Sequence, residues 1–444
     1  MAPSYFQLTE KDSVEKFTHR PARIEENQPG RDENDTRLRI DVYPEYRFQQ
    51  LEGMAGSFSE IGAEALLTLP EAKRAQVADS LFGTADVPGL AWGRLPIGAS
   101  DFALSAYSFS EVGDDFAQEH FSIERDRRCI LEFIRLAKQR NPAFQIHASP
   151  WSPPAWMKTN GAMDGNEKAE GKLRPESEVR RAYARYLRKF VEAYAAEGLP
   201  IARLAVQNEP DSEAPFPGCL MMPDDMVDFV VNYLAPEFCQ AGCDTEIWAG
   251  TFRTLTGLQG HECMRNEAFR ASVAGCAFQY SMHKYIAQFH RQFPDCPILH
   301  SESVCYGGQN SGAQAISLLE DVIGFFEAGA KLYTYWNMIL NETQTSTWGW
   351  KQNSLVTIDR NTGDVAYLPD MEVMRLLAKT VVPGSTLLQS YCFHAPVLAV
   401  EKPSGKIGII FYNRREARPV SVTVAGRTFN FDVPGHAFVS LEVG

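Results

Sequence analysis

Short apolar runs alternate with amphipathic stretches along most of this chain, and that alternation predicts its elements. Phe144-Gln145-Ile146-His147-Ala148, Ile201 to Val206, Thr245-Glu246-Ile247-Trp248-Ala249, Pro297-Ile298-Leu299-His300 and Lys331 to Trp336 read as short buried strands. Between them, apolar residues at helical spacing mark Ile130 to Ala137, Val179 to Ala196, Met226 to Leu234 and Ala315 to Ala328. Gly53 and Gly56 interrupt a strand-to-helix transition that runs into Ile61 to Leu67. Such alternation is the signature of βα units around a parallel sheet.

The two chain ends follow another pattern. Residues 1–35 are polar and charged and read as a flexible lead-in. Arg37-Leu38-Arg39-Ile40-Asp41-Val42-Tyr43 alternates with period two, as a half-buried strand does. At the far end Val397 to Val400, Lys406 to Tyr412, Val420 to Val424 and Ala437 to Leu441 are closely spaced strands of a small antiparallel module. The early strand completes that module, which makes it discontinuous in sequence. At 444 residues the chain suits a barrel of roughly 250 residues plus such a module. The division expected is a lead-in over 1–35, a module strand over 36–48, an α/β barrel over 49–378 and the β module over 379–444.

Two glutamates stand at the ends of apolar runs. Gln207-Asn208-Glu209-Pro210 follows the run ending at Val206, and Ser301-Glu302-Ser303 follows the one ending at His300. They are 93 residues apart, which is about three βα repeats of roughly 30 residues each. Strand tips three repeats apart face each other across the mouth of a closed barrel. Two opposed carboxylates there are what glycosidic bond cleavage requires. An acid must stay protonated near neutral pH, and burial beside a second carboxylate supplies that for Glu209. Glu302, between two small serines, suits a nucleophile. Alone, the Glu209 motif reads more readily as a strand-end residue that caps a loop or pairs with an arginine, and the Glu302 motif as a solvated loop.

Five of the seven tryptophans fall at strand ends or just beyond them: Trp151, Trp156, Trp336, Trp348 and Trp350. Indole faces stack on sugar rings and stabilise positive charge developing at them. Asp101, in Gly98-Ala99-Ser100-Asp101-Phe102, reads either as a holder of sugar hydroxyls or as a turn residue.

Composition narrows the field. The formal net charge of −13 argues against a nucleic-acid surface and an anionic membrane patch. No run reaches the length of a bilayer span, and the opening residues lack the apolar core of an export signal. Nine cysteines without CxxC pairs read as reduced thiols, so a cytoplasmic setting is expected. No metal site or cofactor motif is visible, and oligomeric state is not legible.

With these residues in view, the chain resembles glycoside hydrolase family 30, the family of acid β-glucosidase (glucosylceramidase). The resemblance runs from about Tyr46 to Ser385 and is carried by five blocks: Phe48 to Glu60, Pro96 to Phe102, Ala148 to Asn160, Ala205 to Pro210, and Tyr335-Trp336-Asn337. It implies a (β/α)8 TIM barrel with an antiparallel β-sandwich built from both chain ends. It implies Glu209 as acid/base and Glu302 as nucleophile of a retaining β-glycosidase. Asp101, Trp151, Asn208 and Trp336 match residues lining the sugar subsite, with Trp348 expected to join them. The family's usual His-Trp-Tyr after strand six is Phe278-Gln279-Tyr280 here, which leaves Tyr280 to hydrogen-bond the nucleophile and changes the subsite walls at Phe278 and Gln279. The expected substrate is a terminal β-linked, glucose-like sugar. Alternatives are an endo-β-1,6-glucanase, a β-xylosidase or β-fucosidase, and a non-catalytic carbohydrate-binding barrel.

Overall fold

The computed structural model describes residues 4–8, 14–15, 25–26, 37–165, 171–253, 258–304 and 307–444. Eight parallel strands form the central sheet: β1 (Gly53–Ser57), β2 (Trp92–Ile97), β3 (Gln145–Pro150), β4 (Arg203–Ala205), β5 (Glu246–Phe252), β6 (Gly275–Gln279), β7 (Ile298–Glu302) and β8 (Leu332–Tyr335). They pair in chain order, and β8 returns to β1 in the register Leu332↔Gly53 to Tyr335↔Gly56. The seam between β7 and β8 is drawn together where Lys331 N–H donates to Ile298 O at 2.8 Å and Thr334 Oγ1 to His300 O at 2.8 Å. The result is a nearly closed barrel. Its strands are buried on both faces, so they read as apolar runs instead of alternating ones.

The barrel is filled from below. Ala55, Trp92, Ala205, Trp248, Ala277, Leu299 and Leu332 form one buried cluster. Arg203 lies over Trp92 at 4.3 Å and Trp248 at 4.7 Å, and its charge is met by Glu52 at 2.5 Å. A packed interior leaves the strands' C-terminal ends as the place for a ligand. The helices cover the outside through broad apolar stripes. The longest, Ser177–Ala196, buries Tyr183, Tyr186, Leu187, Phe190 and Tyr194. The helix Gly312–Glu327 starts on a capping box in which Ser311 and Gln314 satisfy each other's backbone N–H.

The second module is a ten-stranded, mostly antiparallel sheet from both chain ends. Leu38–Gln50 runs through its middle, antiparallel to Thr386–Tyr391 and parallel to Arg418–Val424. Within the expected lead-in, Ser4–Leu8 pairs with Ala437–Val443 and Glu25–Glu26 with Arg427–Val433, so these pieces belong to the sheet. Val14–Glu15 pairs in turn with Ser4–Leu8, and the remainder of residues 1–35 lies outside the described residues. One sheet face joins Leu38, Ile40, Val42, Phe411, Val420 and Val439 into a separate core. Leu387, Val400, Ile410 and Phe438 join the main core. Gln49 ties the module to the barrel by donating to Phe326 O at 2.6 Å.

Among the described residues no helix is long and apolar enough to cross a membrane, and no cluster of three or more His, Cys, Asp or Glu is arranged to hold a metal.

Candidate active site

At the C-terminal end of the barrel the strands give way to small and polar residues. A cavity of about 200 Å³ opens there, lined by Asp101, Trp151, Asn208, Glu209, Tyr280 and Glu302. Phe216, Arg253, Trp350 and Gln352 also line it. Glu209 and Glu302 are therefore on one cavity wall system, as their three-repeat spacing predicts. A larger cavity of about 440 Å³ lies on the sheet module, but its carboxylate Glu442 is already engaged by Lys402 at 2.6 Å and Lys406 at 2.7 Å. It offers no pair of opposed carboxylates.

Local backbone irregularities aim the side chains. The β5–β6 register shifts between Ala249 and Phe252, and the β6–β7 register between Phe278 and Gln279. Bulges at a barrel rim redirect side chains. The first depends on Gly250 at φ +93°, where a Cβ would meet Ala277 O at 2.5 Å. Glu209 itself sits in the left-handed region at φ +44°. That strain is uncommon for a non-glycine residue and is held by its surroundings. Its N–H donates to Thr251 O at 3.1 Å, and the N–H of Asn208 to Pro150 O at 2.8 Å.

Arg94 of β2, with no exposed surface, organises the interior of the site. It donates through Nη1 to Oε2 of Glu302 and through Nη2 to Asn208 Oδ1 at 2.6 Å and Ser149 Oγ at 3.0 Å. Its guanidinium also lies 4.6 Å from the Trp151 ring centre. Gln279 Nε2 reaches Glu302 Oε2 at 3.0 Å, Asn208 Oδ1 at 2.7 Å and Thr251 Oγ1 at 3.2 Å. On the Glu209 side, Tyr280 donates its hydroxyl to Oε1, and Arg253 Nη1 stands 3.7 Å from Oε2. Arg253 makes its closer contact with Asp211, at 3.0 Å through Nε.

Burial dominates the protonation of all three carboxyls. It pushes Glu302 up to about 7, with the Glu209 charge adding to the rise and Arg94 opposing it. Glu209 is raised by burial against the pull of Arg253 and the Tyr280 hydrogen bond. Asp101 is raised well above the ordinary range by burial and then by the charges of Glu302 and Glu209. Three carboxyls facing two guanidinium groups cannot all ionise cheaply, so protons are retained in the site near neutral pH.

Several expected positions turn out differently. Tyr280 hydrogen-bonds Glu209, and the donor from β6 to Glu302 is Gln279. The alternation along β6 turns Phe278 outward, where it packs on Phe289 at 5.0 Å, so it forms no subsite wall. Trp336 is not among the cavity-lining residues; it is buried and stacked on Trp151 at 5.4 Å. Trp348 is not among the cavity-lining residues; Trp350 is, packed on Phe216 at 4.8 Å. Trp156 turns away to bond Ser110 O at 3.1 Å. The sequence assigns no role to Arg94, Thr251 or Arg253, and marks Gln279 only as an altered subsite wall. A charged residue inside Trp92-Gly93-Arg94-Leu95-Pro96-Ile97 was the available signal for Arg94, since a buried arginine needs partners.

Comparison with known proteins identifies the family of the barrel. A family model described as the glycosyl hydrolase family 30 TIM-barrel domain matches residues 51–370. Lysosomal acid glucosylceramidase of Mus musculus is 24% identical over 425 residues, covering 89% of this chain and 81% of that protein. An endo-1,6-beta-D-glucanase of Neurospora crassa is 30% identical over 217 residues, covering 48% of this chain and 44% of that protein. The crystal structure of SrfJ from Salmonella typhimurium superposes with a TM-score of 0.89 at 25% identity, covering 100% of this chain and 99% of that one.

Proposed function

The chain belongs to glycosyl hydrolase family 30 and is a glycoside hydrolase, and on that premise we propose that it releases terminal β-linked, glucose-like sugars with retention of configuration. Glu302 attacks the anomeric carbon while Glu209 protonates the departing oxygen, giving a glycosyl ester. Water activated by Glu209 then cleaves the ester, and the proton returns to Glu209. The observation that carries this reading is that both glutamates, from strand ends three repeats apart, line the same cavity.

The surroundings support the division of roles. Glu302 receives two donors that favour its anion, the Arg94 guanidinium and the Gln279 amide. Glu209 accepts from the neutral Tyr280 hydroxyl and has a looser charge partner in Arg253, which is shared with Asp211. Asn208 Oδ1 already accepts from Arg94, Gln279 and Thr251, which leaves its NH₂ to donate to a sugar hydroxyl. Trp151 lines the cavity and puts apolar indole surface beside the sugar.

A cavity of this size suits one sugar ring, which favours action on a terminal residue. Val304 lines the cavity with 45% of its surface exposed, and Met282, two residues after Tyr280, is 66% exposed. Such apolar edges suit a substrate with an apolar aglycone. The second reading, endo-action on a β-1,6-glucan, is favoured by the resemblance to the Neurospora crassa endo-1,6-beta-D-glucanase. A cytoplasmic setting belongs to the same proposal, supported by the eight cysteines that are free among the described residues. The test is a panel of aryl β-glycosides with NMR of the first-formed anomer. A β-anomer released first is expected, and an α-anomer overturns the mechanism. Internal fragments from an end-labelled oligosaccharide would select the endo reading.

A further inference from the structure

The donors to Glu302 converge on one oxygen. Arg94 Nη1 and Gln279 Nε2 both bond Oε2, and among the described residues Oε1 receives no hydrogen bond. A carboxylate pinned by one oxygen keeps its other oxygen, with its lone pairs, for bond formation. Arg94 supplies charge but also serves Asn208 and Ser149. Gln279 is fully buried, and its NH₂ lies among three acceptors: Glu302 Oε2, Asn208 Oδ1 and Thr251 Oγ1. Those acceptors fix which end of its amide faces the site, because only the NH₂ end can donate. Its Oε1 is buried and makes no hydrogen bond among the described residues.

We infer that Gln279 is a positioning residue that couples the nucleophile to the sugar-reading amide: one NH₂ holds Glu302 by Oε2, leaving Oε1 to attack, and holds Asn208 by Oδ1, leaving its NH₂ to the substrate. This rests on the reading of Glu302 as nucleophile. The amide is neutral, so it orients the carboxylate without adding a second positive charge beside Arg94. Such a charge would weaken the nucleophile and resist the cationic transition state. A glutamine does both tasks because its amide is a two-hydrogen donor on a side chain long enough to reach β7 and β4 from β6. Its place in the chain, one residue before Tyr280, means that β6 delivers consecutive donors to the two carboxylates, Gln279 to Glu302 and Tyr280 to Glu209.

The charged and titratable groups facing Glu302 are Arg94 from β2, Asp101 beyond it, Glu209 beyond β4, Arg253 beyond β5 and Tyr280 beyond β6. Replacing Gln279 by methionine keeps the length and removes the donor. Gln279→Met is expected to lower kcat by about tenfold to a hundredfold, the range for losing one charge-assisted hydrogen bond. The acidic limb of its kcat/KM profile should move upward, because the Glu302 anion has lost a donor. Gln279→Glu should be less active than Gln279→Met at neutral pH and gain relative to it in acid, where the new carboxyl is protonated and can donate. Circular dichroism of both variants shows whether they fold. The wild type is also trapped with a 2-deoxy-2-fluoro glycoside and the labelled peptide sequenced. A label on Glu302 together with an unmoved pH limb and less than a threefold change in kcat overturns the role of Gln279 alone. A label on another residue overturns the nucleophile assignment and this inference with it.

Discussion

Arg94 and Glu302 form an ion pair within the barrel mouth, bringing a guanidinium with no exposed surface against a carboxyl that burial alone would leave protonated. Their strands, β2 and β7, are far apart in sequence and meet only because the sheet closes. The pair does two things at once. It makes a buried arginine tolerable and supplies an anion where the reaction needs one.

Removing the cation leaves the anion stranded. Arg94→Met is expected to destabilise the fold by about 3–5 kcal/mol at neutral pH, the range for breaking a buried pair by deleting one partner. The loss should shrink in acid, where Glu302 takes a proton and no longer needs a cation. Thermal melts across pH check this; a pH-independent loss would mean that packing on Trp151 dominates.

Tyr280→Phe tests the partner found for that tyrosine. Its hydroxyl favours the Glu209 anion, so its removal should raise the Glu209 pKa further. An acid that must be protonated then stays so to higher pH, and the basic limb of kcat/KM should move up by about half a unit to one unit. Movement of the acidic limb in its place would assign Tyr280 to Glu302.

Asp101 carries a stability cost that depends on pH. In the folded chain its carboxyl is held well above its ordinary value by burial, Glu302 and Glu209, whereas the unfolded chain releases the proton in the ordinary range. Stability is therefore lost as pH rises from that range through the folded value. Asp101→Asn removes the titration. It should melt with the wild type near about pH 4 and higher by about pH 8, with weakened substrate binding if Asp101 holds a sugar hydroxyl. Equal melting at both pH values would contradict the buried-carboxyl account.

Gly250→Ala probes the rim bulge. A Cβ at φ +93°, 2.5 Å from Ala277 O, should cost about 1–3 kcal/mol and displace Thr251 from Asn208. A lower melting temperature with reduced kcat is expected. Full activity in a destabilised variant would separate the bulge from the site.

Much of the barrel was legible because its strands are buried on both faces. A doubly buried strand shows as a continuous apolar run, and the helices between them carry a clear 3.6-residue stripe. The predicted helix from Val179 agrees with Ser177–Ala196, and the predicted strand from Thr245 with Glu246–Phe252. Two strands gave weaker signals. β2 is interrupted by Arg94, and β6 is short and glycine-led. The pieces at Ser4–Leu8 and Glu25–Glu26 lay in a polar stretch whose pairing comes from distant strands, which no local pattern reports.

The order of residues by itself determined the βα alternation, the split β module and the three-repeat interval from Glu209 to Glu302, because each follows from local periodicity and counting. Only the tertiary structure decided which donors meet those carboxyls. Arg94, Thr251, Gln279, Tyr280 and Arg253 come from three different strands, β2, β5 and β6, or the residues just beyond them, and two register shifts turn β5 and β6 toward the cavity. Which side chain reaches which oxygen depends on barrel closure and on those bulges. Both are set by packing between segments hundreds of residues apart, so no single stretch of the chain contains them.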